Sequence, residues 1–499
     1  MTCGNAVVAS AQVDLSTGGA LHAAFLTGMG SAKILTIKKS MKTHAISLIP
    51  HPHALNSGTP GFGNKFSYKL GRQGDYLTSS WVRFEVSAVE APTLWATSAS
   101  YRGLYLRWCH NLGHNLIECA TLNFTTIPGC TFDSTFFDFY SAFSVPGGKR
   151  NAYDNMIGNV PELVNPVWNI AAGVDSQTLP AAILNVPIPM PYTREAGVSL
   201  PTGALIYNDN LLELKIREWT ECLVVSNAAD STIQSVVAHS SRIPTSADVV
   251  AAPTLDAQLW GTYVVVTSDE RKRMGKVPRD IVWEVIQPMP EASVLTGATT
   301  VDVGLKYSHA VKVLFFAIRN KTVDSDRSNY TTREPFARAA SNLTTLEFPA
   351  PNAFDPIEEV DLLYEGTQRL SEMPIDYFSL VQPFYHAAAI PTITGYHMYS
   401  YALDAIDVNH SGSVDYGKLT NVSLCLTLST DCLAALAGTA VTPFVDEVGN
   451  ATAFPAGYTA LGLTYSGFVA IAQTFEVINC AMAHTVLRVI GGGAGFPMY

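Results

Sequence analysis

Charge is scarce in this chain. Asp, Glu, Lys and Arg make up only 15% of its 499 residues, well below the roughly 25% of ordinary soluble domains. So thin a charged coat implies that other protein covers much of the surface. Cations are scarcer than anions: 31 Lys and Arg stand against 42 Asp and Glu, for a net charge of −11. That balance excludes a chain that wraps nucleic acid, because clustered Lys and Arg are what meet the phosphates. The eight cysteines (Cys3, Cys109, Cys119, Cys130, Cys222, Cys425, Cys432 and Cys480) include no CxxC pair. A zinc ribbon and a dithiol redox motif are thereby unsupported. No 18-residue apolar run suggests a membrane helix. No Lys or Arg precedes Lys33, and ALHAAFLTGMG is too short and wrongly flanked for a secretory signal. A cytoplasmic product with free thiols is the expectation. Helix signals are also few, GKRNAYDNMIG (148–158) and SDERKRM (268–274) being the best.

What is present is strand. Short runs of Val, Ile, Thr, Tyr and Phe alternate with Gly, Pro, Asn and Asp, the signature of an all-β sandwich or barrel. WVRFEVS (81–87) puts Val82, Phe84 and Val86 on one face and Arg83 and Glu85 on the other. LLELKIR (211–217) repeats the plan with Leu212, Leu214 and Ile216. KVLFFAI (312–318) is apolar on both faces and fits a central strand.

Two stretches about 210 residues apart share a layout. In LPTGALIYNDNLLELKI (200–216) and NHSGSVDYGKLTNVSLCL (409–426), Gly203 matches Gly412 and Tyr207 matches Tyr416. Leu212, Leu214 and Ile216 then match Val422, Leu424 and Leu426. A long small-residue loop follows each, 226–258 and 429–466, and each loop runs into another strand, TYVVVTS (262–268) or QTFEVIN (473–479). Two tandem domains of one fold explain this, the two glycines sharing a turn and SDERKRMGKVPR linking the halves. The expected partition is an arm over 1–58, a first sandwich over 59–268, a linker helix over 269–280 and a second sandwich over 281–499.

The repeat also disposes of a calcium-like pattern. DVNHSGSVDYGK (407–418) places Asp407, Asn409, Ser411, Gly412, Ser413 and Asp415 as an EF-hand loop would. Its twelfth position is Lys418, where a bidentate Glu should close the site. The corresponding PTGALIYND has no ligand pattern, so turn chemistry is the simpler account.

Other chemical motifs are equally incomplete. His110 and His114 have the i, i+4 spacing of a zinc helix, but Asn111 stands where the Glu of HExxH would be and Gly113 weakens a helix; strand or turn positions are expected. His51 and His53 have no third ligand at recognisable spacing. The acidic DPIEEVD (355–361) reads as a solvated loop, and GTPGFGNKF (58–66) as the turn entering the first sandwich, without the Lys-Ser/Thr of a phosphate loop. RKR (271–273) is flanked by Asp269, Glu270 and Asp280 and reads as an interdomain helix. No GxSxG elbow occurs. No catalytic, cofactor-binding or metal-binding residue is assigned, and no enzyme is expected.

Eight segments carry a family resemblance. RWCHNLGHNLIECATLNF (107–124), YDNMIGNVPEL (153–163), SLPTGALIYND (199–209), DERKRMGKVPRDI (269–281) and YSHAVKVLFFAIRN (307–320) resemble the major capsid proteins of iridoviruses. DYFSLVQPFYHAAAIPTITGYHMYSYALD (376–404), YGKLTNVS (416–423) and RVIGGGAGFP (488–497) follow in the same order. The resemblance implies a double jelly roll, two tandem eight-stranded sandwiches with long loops and an N-terminal arm. It implies a homotrimeric, pseudo-hexagonal capsomer tiling the icosahedral shell of a large DNA virus, assembled in the host cytoplasm. Neighbouring capsomers and minor capsid and penton proteins would be its partners, without direct nucleic-acid contact. The arm, with Lys33, Lys38, Lys39 and Lys42, would run toward minor proteins and an inner membrane. The competing class is a secreted two-domain β-sandwich that binds or hydrolyses carbohydrate, which seven Asn-x-Ser/Thr sequons would suit.

Overall fold

The computed structural model describes residues 47–93, 104–125, 127–164, 178–227, 242–332, 355–438 and 472–496, together with a few isolated residues and two-residue strands. Strand propensity and period-2 burial set the elements. Tyr76–Val86 buries Val82, Phe84 and Val86 and turns Arg83 and Glu85 outward, and Asn210–Ile216 and Val422–Leu428 alternate likewise.

These strands form two pairs of antiparallel sheets. In the first half, one sheet has the order Ser47–Pro52, Leu255–Val265, Tyr76–Val86, Ala182–Pro187. Facing it are Lys65–Lys69, Asn210–Ile216, Ile117–Phe124 and Ile127–Asp133, with Ala54–Ser57 added at the edge. The second half repeats the scheme. Arg279–Pro288, Phe475–Ile490, Ala310–Asn320 and His397–Ser400 make one sheet, and Thr300–Gly304, Val422–Leu428, Ile357–Tyr364 and Thr367–Pro374 the other. With the eight principal strands of each half numbered along the chain, both halves read 1-8-3-6 and 2-7-4-5. This is the strand order of a jelly roll, which folds two sheets over one core.

The sequence repeat therefore lies on equivalent elements. Leu212, Leu214 and Ile216 and their counterparts Val422, Leu424 and Leu426 are the core face of the seventh strand in each half. The two glycines, however, share no turn. Gly412 adopts a φ of 152°, and a Cβ there would lie 2.5 Å from the Tyr401 carbonyl oxygen. Gly203 has no positive φ and instead packs beside Met274. Two more expectations shift. Ser47–Pro52 and Ala54–Ser57, which the sequence put in the arm, pair into the two sheets of the first sandwich; residues 1–46 lie outside the described residues. The first long loop ends where Leu255 begins its strand, not at 258, and most of 429–466 lies outside the described residues.

The two sandwiches pack against each other. Ala310–Asn320 is buried on both faces, as its pattern predicts, with Phe475–Ile490 on one flank and His397–Ser400 on the other. Leu314, Phe316 and Ile318 point into the core of the second sandwich, whereas Val313, Phe315 and Ala317 belong to the core of the first. What they meet is a helix, Ser134–Ser144, capped by the Asp133 carboxylate on the Phe136 amide at 2.9 Å. Phe139 and Phe143 stack on Phe315 with centroids 5.8 and 5.5 Å apart. Each such ring contributes on the order of 2–3 kcal/mol through burial. Trp283 donates its indole N–H to the Gly129 carbonyl at 3.1 Å and packs on Phe124. The linker helix expected over 269–280 is the helix Ser268–Lys276, and Arg279 already opens the next strand.

Candidate functional site

Three clusters of buried polar groups lie where the halves meet. The connection after Ala310–Asn320, residues 321–332, folds back as a strap on the first sandwich and brings Asp326, Ser328 and Tyr330 with it. Arg107, on Leu104–Trp108, reaches Asp326 through both terminal nitrogens, at 2.9 and 3.4 Å. Burial pushes the Asp326 carboxyl up, but the Arg107 charge and its hydrogen bonds outweigh that and hold it below the usual carboxylate range.

Asp138, on the Ser134–Ser144 helix, is the hub of a second cluster. Its carboxylate accepts hydrogen bonds from Asn111 Nδ2 (3.1 Å), Ser328 Oγ (2.5 Å) and the Tyr330 hydroxyl (3.2 Å), and is paired with His114 Nδ1 at 2.7 Å. His114 Nε2 lies 2.7 Å from the Tyr153 hydroxyl. Both ring nitrogens of His114 are thus engaged. A third cluster joins Arg194 of the first half to Glu284 and Lys312 of the second, at 2.9 and 3.2 Å from the carboxylate. Arg194 also lies 3.7 Å over the Tyr140 ring. Burial lowers the Lys312 pKa, and the Glu284 charge opposes this. Asn111 Oδ1, Glu284 Oε2 and the Arg194 Nε and Nη1 form no hydrogen bond, but the charges are paired, and breaking a buried pair typically costs about 3–5 kcal/mol. Chemically they are fasteners: they fix one mutual orientation of two sandwiches.

The motifs singled out in the sequence land elsewhere. In 407–418, the Asp407 carboxylate accepts from the Asn409 amide and Asp415 from the Gly417 amide, both at 3.0 Å, while Lys418 pairs with Asp415. The Lys312 ammonium donates to the Asp407 carbonyl. These are turn-forming bonds. His114 stands on the five-residue helix Leu112–Leu116, not on a strand or turn. Gly113 is required there by packing, since a Cβ would sit 2.6 Å from Val186. His110 is at the turn before that helix. His53 is buried against Gly261 and its pKa falls to about 4, chiefly through desolvation and then through His51. The 355–361 segment is not a solvated loop: Ile357–Tyr364 is a strand, and Asp355 is sealed against His397 Nε2 at 2.8 Å. GTPGFGNKF is a turn, but it joins Ala54–Ser57 to Lys65–Lys69 within a sheet. Arg271 pairs with Asp75 across the joint between sandwiches at 2.7 Å.

Sequence reasoning missed the fasteners. Arg107 and Asp326 are 219 residues apart, Asp138 and Tyr330 192, and no local spacing marks such pairs. Also unforeseen is an exposed apolar patch on the second sandwich. Phe384 and Tyr385, 67% and 70% exposed, lie beside Leu403, 76% exposed, which His386 Nδ1 holds by its carbonyl at 2.9 Å.

Comparison with known proteins completes the picture. Residues 37–266 match the family described as major capsid protein N-terminus, and residues 270–448 match large eukaryotic DNA virus major capsid protein. The major capsid protein of Tipula iridescent virus is 39% identical over 498 residues, covering 99% of this chain and 98% of that protein. The corresponding protein of Invertebrate iridescent virus 6 is 35% identical over 502 residues, covering all of both.

The chain belongs to the major capsid protein family of large eukaryotic DNA viruses.

Among solved structures, the PBCV-1 virus capsid aligns with a TM-score of 0.65 at 18% identity, covering 92% of this chain and 98% of that one. The Faustovirus major capsid protein aligns at 0.58 and 11% identity, covering 94% and 96%. At such identities these show the fold, and the fold is the double jelly roll. A major capsid protein is a structural component of the virion shell. The whole-chain match to capsid proteins sets aside the secreted carbohydrate-active alternative.

Proposed function

We propose that three copies of this chain associate about one axis into a pseudo-hexagonal capsomer, and that capsomers tile the icosahedral shell. The observation that carries this is the identical strand order of two sandwiches packed against each other. Three copies supply six similar sandwiches, which is what a near-hexagonal outline needs from a threefold object. The Phe384, Tyr385 and Leu403 patch is a contact surface between copies, since exposed apolar clusters of this kind mark association sites. The low charge fraction agrees.

In this reading residues 1–46 are an arm, 47–267 the first sandwich, 268–276 a joining helix and 279–496 the second sandwich. The arm's lysines favour acidic partners, namely minor capsid proteins or an anionic inner membrane. Penton proteins would meet the capsomer at the shell vertices. The acidic chain makes no direct contact with the genome, its role is structural and non-catalytic, and assembly takes place in the host cytoplasm. Light scattering of the purified chain, first with calcium and then with chelator, tests the core claim. A chelator-insensitive trimer is expected. A monomer whose mass changes with calcium would overturn both the capsomer and the turn assignment of 407–418.

A further inference from the structure

Two cysteines of the first sandwich occupy facing positions. Leu104–Trp108 and Leu223–Asn227 pair in a two-stranded antiparallel ribbon whose register matches Trp108 to Leu223, and Val225 also bridges Arg242. The next step of that register places Cys109 opposite Cys222, and the Cys109 amide indeed donates to the Cys222 carbonyl at 2.9 Å. Directly opposed residues of an antiparallel pair project to the same face, with Cβ atoms about 4.5–5.5 Å apart. A disulfide holds its Cβ atoms about 3.5–4.5 Å apart, so closing the bond draws the two strands together by about 1 Å. Both side chains are fully buried and both thiols are free. They are also hydrogen-bonded to each other, and the Cys222 Sγ in turn donates to the Asn115 carbonyl at 3.5 Å.

We propose that Cys109 and Cys222 are a latent disulfide, which a peroxide-class oxidant closes into a covalent clamp across the base of this ribbon. The two sulfurs are not equivalent. The hydrogen bond from Cys109 lowers the pKa of Cys222, burial opposes that, and the nearby Arg217 and Arg327 charges add to it. The same hydrogen bond, with burial, raises Cys109 well above the usual thiol range. Cys222 is therefore the attacking thiolate. Having lost its proton to water, it attacks one peroxide oxygen. The O–O bond breaks, hydroxide leaves and takes up that proton as water, and Cys222 becomes a sulfenic acid. The Cys109 sulfur then attacks the Cys222 sulfur, the S–O bond breaks, and hydroxide leaves with the Cys109 proton as a second water. The balance is two thiols and one hydrogen peroxide giving one disulfide and two waters. The oxidant reaches the sulfurs only when this ribbon opens locally, against the core packing of Leu106, Trp108, Leu223 and Val225. The inference concerns the fold of one subunit and does not depend on how subunits assemble.

The test treats the folded full-length chain with hydrogen peroxide, alkylates it under denaturing conditions, and maps the unreduced digest by mass spectrometry. The expected product is a peptide joining Cys109 to Cys222, two hydrogens lighter than the sum of its parts and lost on reduction. Oxidation should also raise the melting temperature, and reductant should reverse this. Cys222→Ser and Cys109→Ala should each abolish the rise, whereas Cys119→Ser should keep it. Recovery of Cys109 and Cys222 as separate alkylated or over-oxidised peptides would overturn the proposal. So would a rise in melting temperature that persists in Cys222→Ser.

Discussion

Arg107 and Asp326 meet in a two-point ion pair, Nη2 to Oδ2 at 2.9 Å, with both side chains more than nine-tenths buried. One comes from the first sandwich and the other from the strap of the second, so the pair is a direct measure of how the halves are joined. Asp326→Ala leaves a buried guanidinium without its partner, and the expected cost is about 3–5 kcal/mol. The double variant Arg107→Met with Asp326→Leu should recover most of that loss, because apolar replacement of both partners removes the uncompensated charge. Urea denaturation followed by tryptophan fluorescence measures both. Equal losses in the single and double variants would mean that the uncompensated guanidinium is not what Asp326→Ala costs.

The two glycines matched by the sequence repeat should respond differently. At Gly412, Ala must adopt a φ of 152° and place a Cβ 2.5 Å from a backbone oxygen, with an expected penalty of about 1–3 kcal/mol. At Gly203 the nearest obstacle is the flexible Met274 methyl group at 3.1 Å, which can move aside. Thermal melts should therefore rank Gly412→Ala well below Gly203→Ala. Calcium should leave the melting temperature of both unchanged, since the carboxylates of Asp407 and Asp415 are already occupied in turns.

That contrast shows how far the sequence could be read. Alternation of apolar residues at Val82–Val86, Leu212–Ile216 and Val422–Leu428 is a local property, and it identifies strands, their core faces and the duplication. The helix Ser134–Ser144 was illegible for a physical reason. It lies between two sandwiches and buries Phe136, Phe137, Phe139 and Phe143 on several sides, so it shows no polar stripe to betray its period. The Asp138 hub was illegible because its donors come from Asn111, Ser328 and Tyr330, which only the folded topology brings together. His114 had the spacing of a ligand, but its burial and its Asp138 and Tyr153 partners decide what it does.

Acid should loosen the fold through two buried histidines. Desolvation, with Lys312 and His410 adding to it and Glu284 opposing it, lowers the His484 pKa to about 4, and His53 is lowered similarly. Their unfolded values lie near 6.5. Between those limits the unfolded chain binds more protons than the native one, so stability falls as the pH drops from about 6.5 toward 4. His484→Gln and His53→Gln should each flatten the melting temperature measured between pH 7 and pH 5. An unaltered slope in both variants would assign the acid sensitivity to other groups.

The apolar patch gives the sharpest test of association, because it separates assembly from folding. Phe384, Tyr385 and Leu403 are largely exposed in the single chain, so replacing them removes little from either core. Phe384→Asp combined with Leu403→Asp should leave the unfolding free energy of the isolated chain within about 1 kcal/mol of the parent, as surface changes generally do. A charged residue buried unpaired between copies is far more costly than one left in water, so the same double variant should sediment as monomer where the parent sediments as trimer. A variant that still forms trimers with unchanged mass would place the subunit contact on another face of the sandwiches. One that unfolds would show that the patch supports the chain from within.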